Sequence, residues 1–485
     1  MAIELEYDVL VAGGGPVGLM LATELGLAGV RVLVVERREE PDRAAKAAAI
    51  NTASAAALER RGLLTALQAV AGRQPFQQNG KRPPFIGHFG GIQVPADSVD
   101  QDDPALRGRG PAWYVPVAQV EVERVLARRA EELGVEIRRG VALHGFSADP
   151  GGITVQLSDG EDVRAAWLVG CDGGRSSVRR LAGFEFPGTD PQITVRHVTG
   201  AIEGSELLGR GWQHTASGVY VYGPDPGQVR TVELDGPPED RESPVTADEM
   251  EASLRRVSGA DVRITEVTFG ARFTDHARQA TTYRLGRVLL CGDAAHVHSP
   301  FSGQGLNLGL GDAVNLGWKL AATVHGWAPE GLLDTYTEER HPIGAWVLDW
   351  TRAQVAVMRG DEYSRALRSV VTDFLGTRDG ATYYAQRISG LWQPGTMPDL
   401  TLDDGTRLAD HAHHGRALLV DLAADDGLAA LAKPYADRLD LIRTSSADTD
   451  INALLIRPDG LTAWTSADGD PSSLPTALKR WLGDA

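Results

Sequence analysis

Between Asp8 and Glu36 the chain runs strand, glycine loop, helix, strand and acid, and no other stretch constrains the fold as strongly. Asp8 to Ala12 is a short apolar run with the character of a buried parallel strand. Gly13-Gly14-Gly15-Pro16-Val17-Gly18 follows and satisfies G-x-G-x-x-G. A helix then passes through Leu19, Leu21, Ala22, Leu25 and Leu27 to end near Gly29, and a second strand, Val30 to Val35, ends at Glu36. Each part has a task in holding a dinucleotide. Gly13 permits the tight turn, Gly15 lets the backbone approach a pyrophosphate, and Gly18 lets helix and strand pack closely. The phosphates sit at the positive end of the helix, and Glu36 is placed to accept from a ribose. The pattern suits FAD and NAD equally, so later segments must decide between them.

Two such segments follow at long range. Val163 to Val169 has strand character and runs into Gly170-Cys171-Asp172-Gly173-Gly174, with Arg175, Arg179 and Arg180 beyond. Gly286 to Cys291 is a further strand, followed by Gly292-Asp293-Ala294-Ala295-His296 and then by Ser299-Pro300-Phe301-Ser302-Gly303-Gln304-Gly305-Leu306-Asn307. Leu306, Leu310, Ala313, Val314, Gly317, Leu320 and Val324 recur at helical spacing after it. Asp293 falls at the carboxyl end of a strand, where open α/β sheets bind ligands, and can hold a ribityl hydroxyl. The Gly303-Gln304-Gly305 loop offers backbone N–H groups and a helix dipole to negative charge on a reduced flavin.

Composition narrows the remaining choices. With 485 residues the chain exceeds what one core usually serves, so two or three domains are expected. A net charge of −17 disfavours general binding to nucleic acid or to an anionic membrane. No apolar run approaches the roughly 20 residues that span a bilayer, and the first residues lack a signal-peptide pattern. Cys171 and Cys291 form no disulfide framework, which fits a reducing, cytoplasmic setting. His197, His214, His276 and His298 lack metal-ligand spacing; satisfied structural or surface roles are expected for them, and no metal site.

Taken together, Gly13 to Gly18 with Glu36 and Arg37, Asp172-Gly173, and Gly292-Asp293 with Pro300 to Asn307 resemble the para-hydroxybenzoate hydroxylase family of class A flavin monooxygenases. Within it the likeness is greatest to bacterial hydroxylases that tailor aromatic polyketides of the angucycline and anthracycline kind. The resemblance spans nearly the whole chain and implies an α/β fold: a Rossmann-like FAD-binding domain, an inserted antiparallel-sheet substrate domain and a C-terminal thioredoxin-like domain. It implies bound FAD, transient NADPH (or NADH in its place) and O2. The expected cofactor contacts are Gly13, Gly15, Pro16, Val17, Gly18, Glu36, Arg37, Lys46, Gln119, Asp172, Asp293, Pro300, Gly303, Gln304, Gly305, Leu306 and Asn307. Family members often carry Arg where Lys46 stands and a second Arg where Ala53 stands; Lys46 keeps the charge without the bidentate fork, and Ala53 loses both.

The expected FAD domain is discontinuous, over 1–75, 110–190 and 275–390, with 76–109 and 191–274 forming the substrate domain and 395–485 the tail. Alternation in Gly218 to Tyr222 and Val229 to Leu234 predicts an antiparallel sheet over the flavin, and Phe89, Trp113, Trp212, Tyr220, Tyr222 and Phe301 are candidate substrate contacts. The tail contains no cysteine and cannot do thiol–disulfide chemistry, so a structural or dimer-facing role is expected in a monomer or homodimer. The implied reaction is hydroxylation of an aromatic polyketide through a flavin C4a-hydroperoxide, with no side chain singled out as catalytic. The same chemistry could give Baeyer–Villiger oxidation, epoxidation or antibiotic inactivation. A non-catalytic flavin- or polyketide-binding protein is a further alternative, against which the intact Asp293 to Asn307 segment argues.

Overall fold

The computed structural model describes residues 5–42, 47–71, 84–106, 114–223, 227–240, 243–392, 395–466 and 470–485, with Ser302 described by its backbone alone. Lys46 and Trp113, named above, lie outside these residues. Strand β1 (Tyr7–Ala12) lies at the centre of an eight-stranded sheet, pairing in parallel with β2 (Val32–Glu36) on one side and β3 (Asp162–Gly170) on the other. Val9, Leu10 and Val11 are fully buried, as a strand covered on both faces requires. The short strand Val288–Leu290 extends the sheet beyond β3, and Glu136–Arg139 beyond β2, again in parallel. The glycine loop and the 170–174 and 291–293 turns therefore leave the sheet at the same edge, at its carboxyl ends. Helix α1 (Pro16–Leu27) joins β1 to β2 and buries nearly every residue. By contrast α2 (Gln119–Glu132) buries only a stripe that includes Val122, Leu126 and Ala130.

A second, antiparallel sheet comprises β4 (Thr194–Glu203), β5 (Gly211–Thr215), β6 (Gly218–Tyr222), β7 (Gln228–Glu233) and β8 (Arg263–Phe273), in the order β5-β6-β7-β4-β8. Its two faces do different work. Val198, Tyr220 and Val229 are buried with Met250, Leu254 and Val257 of helix α3 (Ala247–Ser258). Val195, Val219 and Val232 face the other way and are buried with Phe301. This corrects two expectations. Tyr220 and Tyr222 share the face packed by α3, so neither stands on the face that meets Phe301; the Tyr220 hydroxyl accepts a hydrogen bond from the Gly209 N–H at 3.1 Å. Side chains two apart share a face, and the residues that α3 needs as its floor are the even-numbered ones of β6. Phe89 is corrected likewise. It ends the strand Phe85–Phe89 and packs into a separate cluster with Val357, Leu375 and Tyr384, edge-on to Trp350 at 4.8 Å.

Helix α4 (Gln304–Val324) lies directly on α1. A methyl group on Gly309 would stand 2.5 Å from Val17 Cγ2, and one on Gly317 would stand 2.4 Å from Glu24 Cβ. Helix α5 (Thr335–Met358) packs on α4 in turn. The C-terminal part is its own four-stranded sheet of β9 (Ala417–Asp421), β10 (Leu439–Arg443), β11 (Ala453–Ile456) and β12 (Thr462–Ser466), in the order β10-β9-β11-β12. β9 and β10 run parallel, the other pairs antiparallel, and the helix Leu474–Leu482 closes the unit. Among the described residues no helix is long and apolar enough to cross a membrane.

Candidate active site

The carboxyl edge of the main sheet opens into a cleft of about 440 Å³. Gly13, Gly15, Pro16, Val17, Glu36, Arg37, Gln119, Asp172, Asp293, Gly305 and Leu306, which the sequence distributes over nearly 300 positions, all line it. Their local geometry follows from what they pack against. Gly13 has φ +114°, and a Cβ there would stand 2.3 Å from the Cys171 carbonyl oxygen. Gly18 does not line the cleft but underlies it: a Cβ would stand 2.0 Å from the Gly13 carbonyl oxygen. Around Gly15, by contrast, a Cβ would meet nothing within 4 Å, so the chain leaves that space for something else. Glu36 accepts the Gly14 N–H at 2.7 Å and the Arg38 N–H at 3.0 Å, which fixes its carboxylate at the cleft wall.

Two helix starts in this cleft follow a glycine and lack side-chain caps. Helix α1 begins after Gly15 and α4 after Gly303, and no side chain accepts from the first turn of either. Other helices of the chain differ among themselves: Asn51, Thr246, Asp361 and Thr377 each accept a first-turn N–H, while α2 and α5 have no side-chain cap. Uncapped N–H groups and the positive helix ends make the cleft a receptor for negative charge at two separated points. Asp172 Oδ2 accepts the Ser177 and Val178 N–H groups at 2.6 and 3.2 Å, while its buried Oδ1 has no partner.

Asp293 is exposed in the turn after Val288–Leu290, and buried charges hold that turn. Asp312, fully buried on α4, accepts the Gly292 N–H at 3.2 Å, His296 Nε2 at 2.6 Å and Arg340 Nε at 2.7 Å. Burial alone would raise the Asp312 pKa, but Arg340 and His296 outweigh it and the carboxyl lies below its usual range. His298, expected only to be a structural or surface histidine, stands beside Asp293 and Gly305. Its Nδ1 lies 2.8 Å from the Ser299 carbonyl oxygen, its Nε2 is buried without a partner, and burial lowers its pKa against the opposing pull of Asp293.

The remaining expected contacts are placed differently. Pro300 is exposed just ahead of α4, its carbonyl oxygen accepting the Gly303 N–H at 3.3 Å. Gln304 and Asn307 line an adjoining cavity of about 120 Å³ instead of the cleft. Asn307 there accepts the Asn51 N–H at 2.8 Å and donates to the Gly303 carbonyl oxygen at 3.0 Å, so it ties the start of α4 to the 50–51 segment. Ala53 lines the same cavity, where its small side chain packs against Gly390. Among the aromatic candidates, Trp212 and Phe301 meet edge-on at 6.3 Å on the face of the second sheet that carries Val195, Val219 and Val232. His88 completes this group, its ring 4.2 Å from that of Trp212. Alternation in Phe85–Phe89 was the available signal for it, since burial of Phe89 turns His88 to the opposite face.

The cleft's features fit FAD: the open space over Gly15, the unsatisfied Asp172 oxygen, two bare helix starts and an acid at the end of β2. Comparison with known proteins agrees. A protein family described as FAD binding domain matches residues 6–351, and one described as aromatic-ring hydroxylase, C-terminal, matches residues 393–485. The chain is 39% identical over 497 residues to rifampicin monooxygenase of Streptomyces venezuelae, covering 99% of each. It is similar to the solved structure of OxyS anhydrotetracycline hydroxylase from Streptomyces rimosus, with 38% identity, 99% of each chain covered and a TM-score of 0.87. It is also similar to the structure of Diels-Alderase PyrE3 of the pyrroindomycin biosynthetic pathway, with 35% identity, 99% of this chain and 100% of that chain covered and a TM-score of 0.85.

Proposed function

The chain belongs to the family of proteins built on this FAD-binding domain and carries an aromatic-ring hydroxylase C-terminal domain; from that premise we propose that it is an FAD-dependent monooxygenase that consumes NAD(P)H and O2 and hydroxylates an aromatic polyketide. The observation that carries the reading is that two uncapped helix starts, distant in sequence, open into one cleft between an acid at its ribose end and Asp293 at its other. Gly13 to Val17 would hold the pyrophosphate, Glu36 the adenosine ribose, Asp293 a ribityl hydroxyl, and Gly305 and Leu306 the charged edge of the ring. Bound FAD supplies the electron and oxygen chemistry. The chain's part is to orient and to keep water out. Trp212, Phe301 and His88 form an aromatic wall of mutually inclined rings against which an aromatic substrate packs, and this wall limits wasteful entry of water. The Gly292–Asp293 turn keeps its position because Asp312 is itself held by Arg340 and His296.

The organisation proposed with this function keeps the boundaries expected above: FAD domain over 1–75, 110–190 and 275–390, substrate domain over 76–109 and 191–274, and tail over 395–485. The tail is thioredoxin-like, supported by its parallel β-α-β unit followed by an antiparallel pair and a closing helix. The free thiols of Cys171 and Cys291 support a cytoplasmic enzyme, and we assign it as a monomer or homodimer. NADPH enters transiently. Substrate-dependent NADPH oxidation by the flavin-loaded protein tests the reading: polycyclic phenols should accelerate it, and a flavin-loaded protein indifferent to NADPH would contradict it. A second reading, cycloaddition without oxygen transfer, is favoured by the likeness to a Diels-Alderase. It predicts a product of unchanged mass.

A further inference from the structure

The chain's two cysteines, far apart in sequence, meet at the carboxyl edge of the main sheet. β3 pairs in parallel with Val288–Leu290, and the register sets Gly170 against Leu290. The next step along both strands therefore sets Cys171 against Cys291. The ladder continues through that step: the Cys291 N–H donates to the Gly170 carbonyl oxygen at 2.9 Å, and Cys291 keeps an extended backbone, φ −142° and ψ 139°. Residues in register on parallel neighbours point their side chains to the same face, and the two thiols are hydrogen-bonding neighbours. Adjacent strands lie about 4.8 Å apart, inside the roughly 4.4–6.8 Å that a disulfide allows between Cα atoms.

The surroundings of the two sulfurs differ. Cys171 is half-buried and Cys291 buried, yet both line the cofactor cleft. A small oxidant arriving there meets Cys171 first. Burial pushes the Cys291 thiol up, and Cys171 beside it adds to the effect, so this sulfur keeps its proton until a partner reaches it. Both cysteines are joined to the cofactor cradle. Cys171 directly precedes Asp172, and its carbonyl oxygen would stand 2.3 Å from a Cβ on Gly13. Its own Cβ would stand 3.2 Å from a Cβ on Gly18, in the first turn of α1. Cys291 directly precedes Gly292-Asp293. In a close-packed interior neither sulfur can shift without moving these neighbours.

We propose that Cys171 and Cys291 form a modification site: hydrogen peroxide converts the thiol pair to a reversible disulfide that draws the Asp172 and Asp293 turns together and loosens FAD. The Cys171 sulfur attacks one peroxide oxygen, the O–O bond breaks and a first water leaves. The Cys291 sulfur then attacks the Cys171 sulfur. The S–S bond forms, the S–O bond breaks, and the hydroxyl departs with the Cys291 proton as a second water. Two electrons pass from the thiols to the peroxide. Closing the bond brings the Cβ atoms within about 3.5–4.5 Å, closer than the strand spacing sets them, and this shortening is what reaches the two turns. A flavin that passes its electrons to O2 without a substrate makes the oxidant in the same cleft. In a reducing compartment such a disulfide is transient and sensing, not structural. The inference goes beyond the hydroxylase reading and needs only the cofactor cleft.

The test treats flavin-loaded protein with hydrogen peroxide, then alkylates and digests it, with half of the sample first reduced by dithiothreitol. Peptides holding Cys171 and Cys291 should appear linked within one chain, lighter by two hydrogens than the free pair, and dithiothreitol should restore both thiols. The FAD dissociation constant of the oxidised protein should rise roughly 3- to 30-fold and return on reduction. In Cys291→Ala no linked peptide should form, and dimedone should instead trap Cys171 as its sulfenic acid. If that variant holds no flavin, the wild-type peptide map and FAD affinity decide alone. Two thiols still free after peroxide, links only between chains, or a disulfide that leaves FAD affinity unchanged would overturn the proposal. Failure of the hydroxylase reading looks different: phenols and NADPH then have no effect, while added peroxide still links the pair.

Discussion

Gly15 and Gly18 occupy one motif but are constrained by different things, and substitution separates them. A side chain on Gly15 meets no protein atom within 4 Å, and the residue's φ of −76° suits any amino acid. Gly15→Val should therefore fold with a melting temperature close to that of the parent yet emerge from purification without yellow colour, because only the cofactor's phosphates are displaced. Gly18→Ala drives a methyl group into the Gly13 carbonyl oxygen and should cost about 1–3 kcal/mol of stability before any ligand is considered. Thermal melts and the flavin-to-protein absorbance ratio distinguish the two. The buried histidines give a pH signature. His88 and His197 titrate near 4 and 3 in the fold against an ordinary 6.5, so as pH falls the unfolded chain takes up protons first. Their contribution is complete above pH 6.5 and is lost between there and their folded values, at about 1.4 kcal/mol per pH unit for each group. Urea midpoints of flavin-free protein between pH 7 and 5 should fall less steeply in His197→Asn than in the wild type.

At the scale of elements, the contact of α4 on α1 sets the geometry of both cofactor-facing helix starts. Gly317 allows it, and Gly317→Ala should cost about 1–3 kcal/mol in unfolding and loosen flavin retention although it stands far from the cleft. Equilibrium unfolding in urea and the rate of flavin release check this together. These elements were legible in the sequence to different degrees. The order of β1, Gly13 to Gly18, α1, β2 and Glu36 could be read directly, because each piece has its own periodicity and the glycines admit few alternatives. The faces of the second sheet could not. Alternation in Gly218 to Tyr222 divides the strand into two sets, but which set meets α3 is decided by a helix some 25 residues on, so Tyr220 and Tyr222 were assigned to the wrong side.

For the molecule as a whole, the tail is bound to the FAD-binding part through buried charge. Arg61 pairs with Glu24 of α1 at 2.7 Å and donates to the Pro458 and Ala412 carbonyl oxygens at 2.7 and 3.1 Å. Glu339 on α5 meets Lys319 of α4 and Arg457 of the tail, both at 2.8 Å. Burial pushes the Lys319 pKa down to about 8 despite the Glu339 charge beside it. Removing one partner from such a group typically costs about 3–5 kcal/mol. A chain cut before residue 395 should therefore be insoluble or flavin-poor, and a soluble truncated protein with full flavin content would show that the tail contributes nothing to the fold. What defines the proposed enzyme, however, is the fate of oxygen. Protein loaded with FAD should be incubated with NADPH, a panel of polycyclic phenols and 18O2, and the products weighed by mass spectrometry. A monooxygenase should give a product carrying one 18O atom and formed only with the phenol, NADPH and O2 all present. A product of unchanged mass, formed equally well without O2, would contradict it.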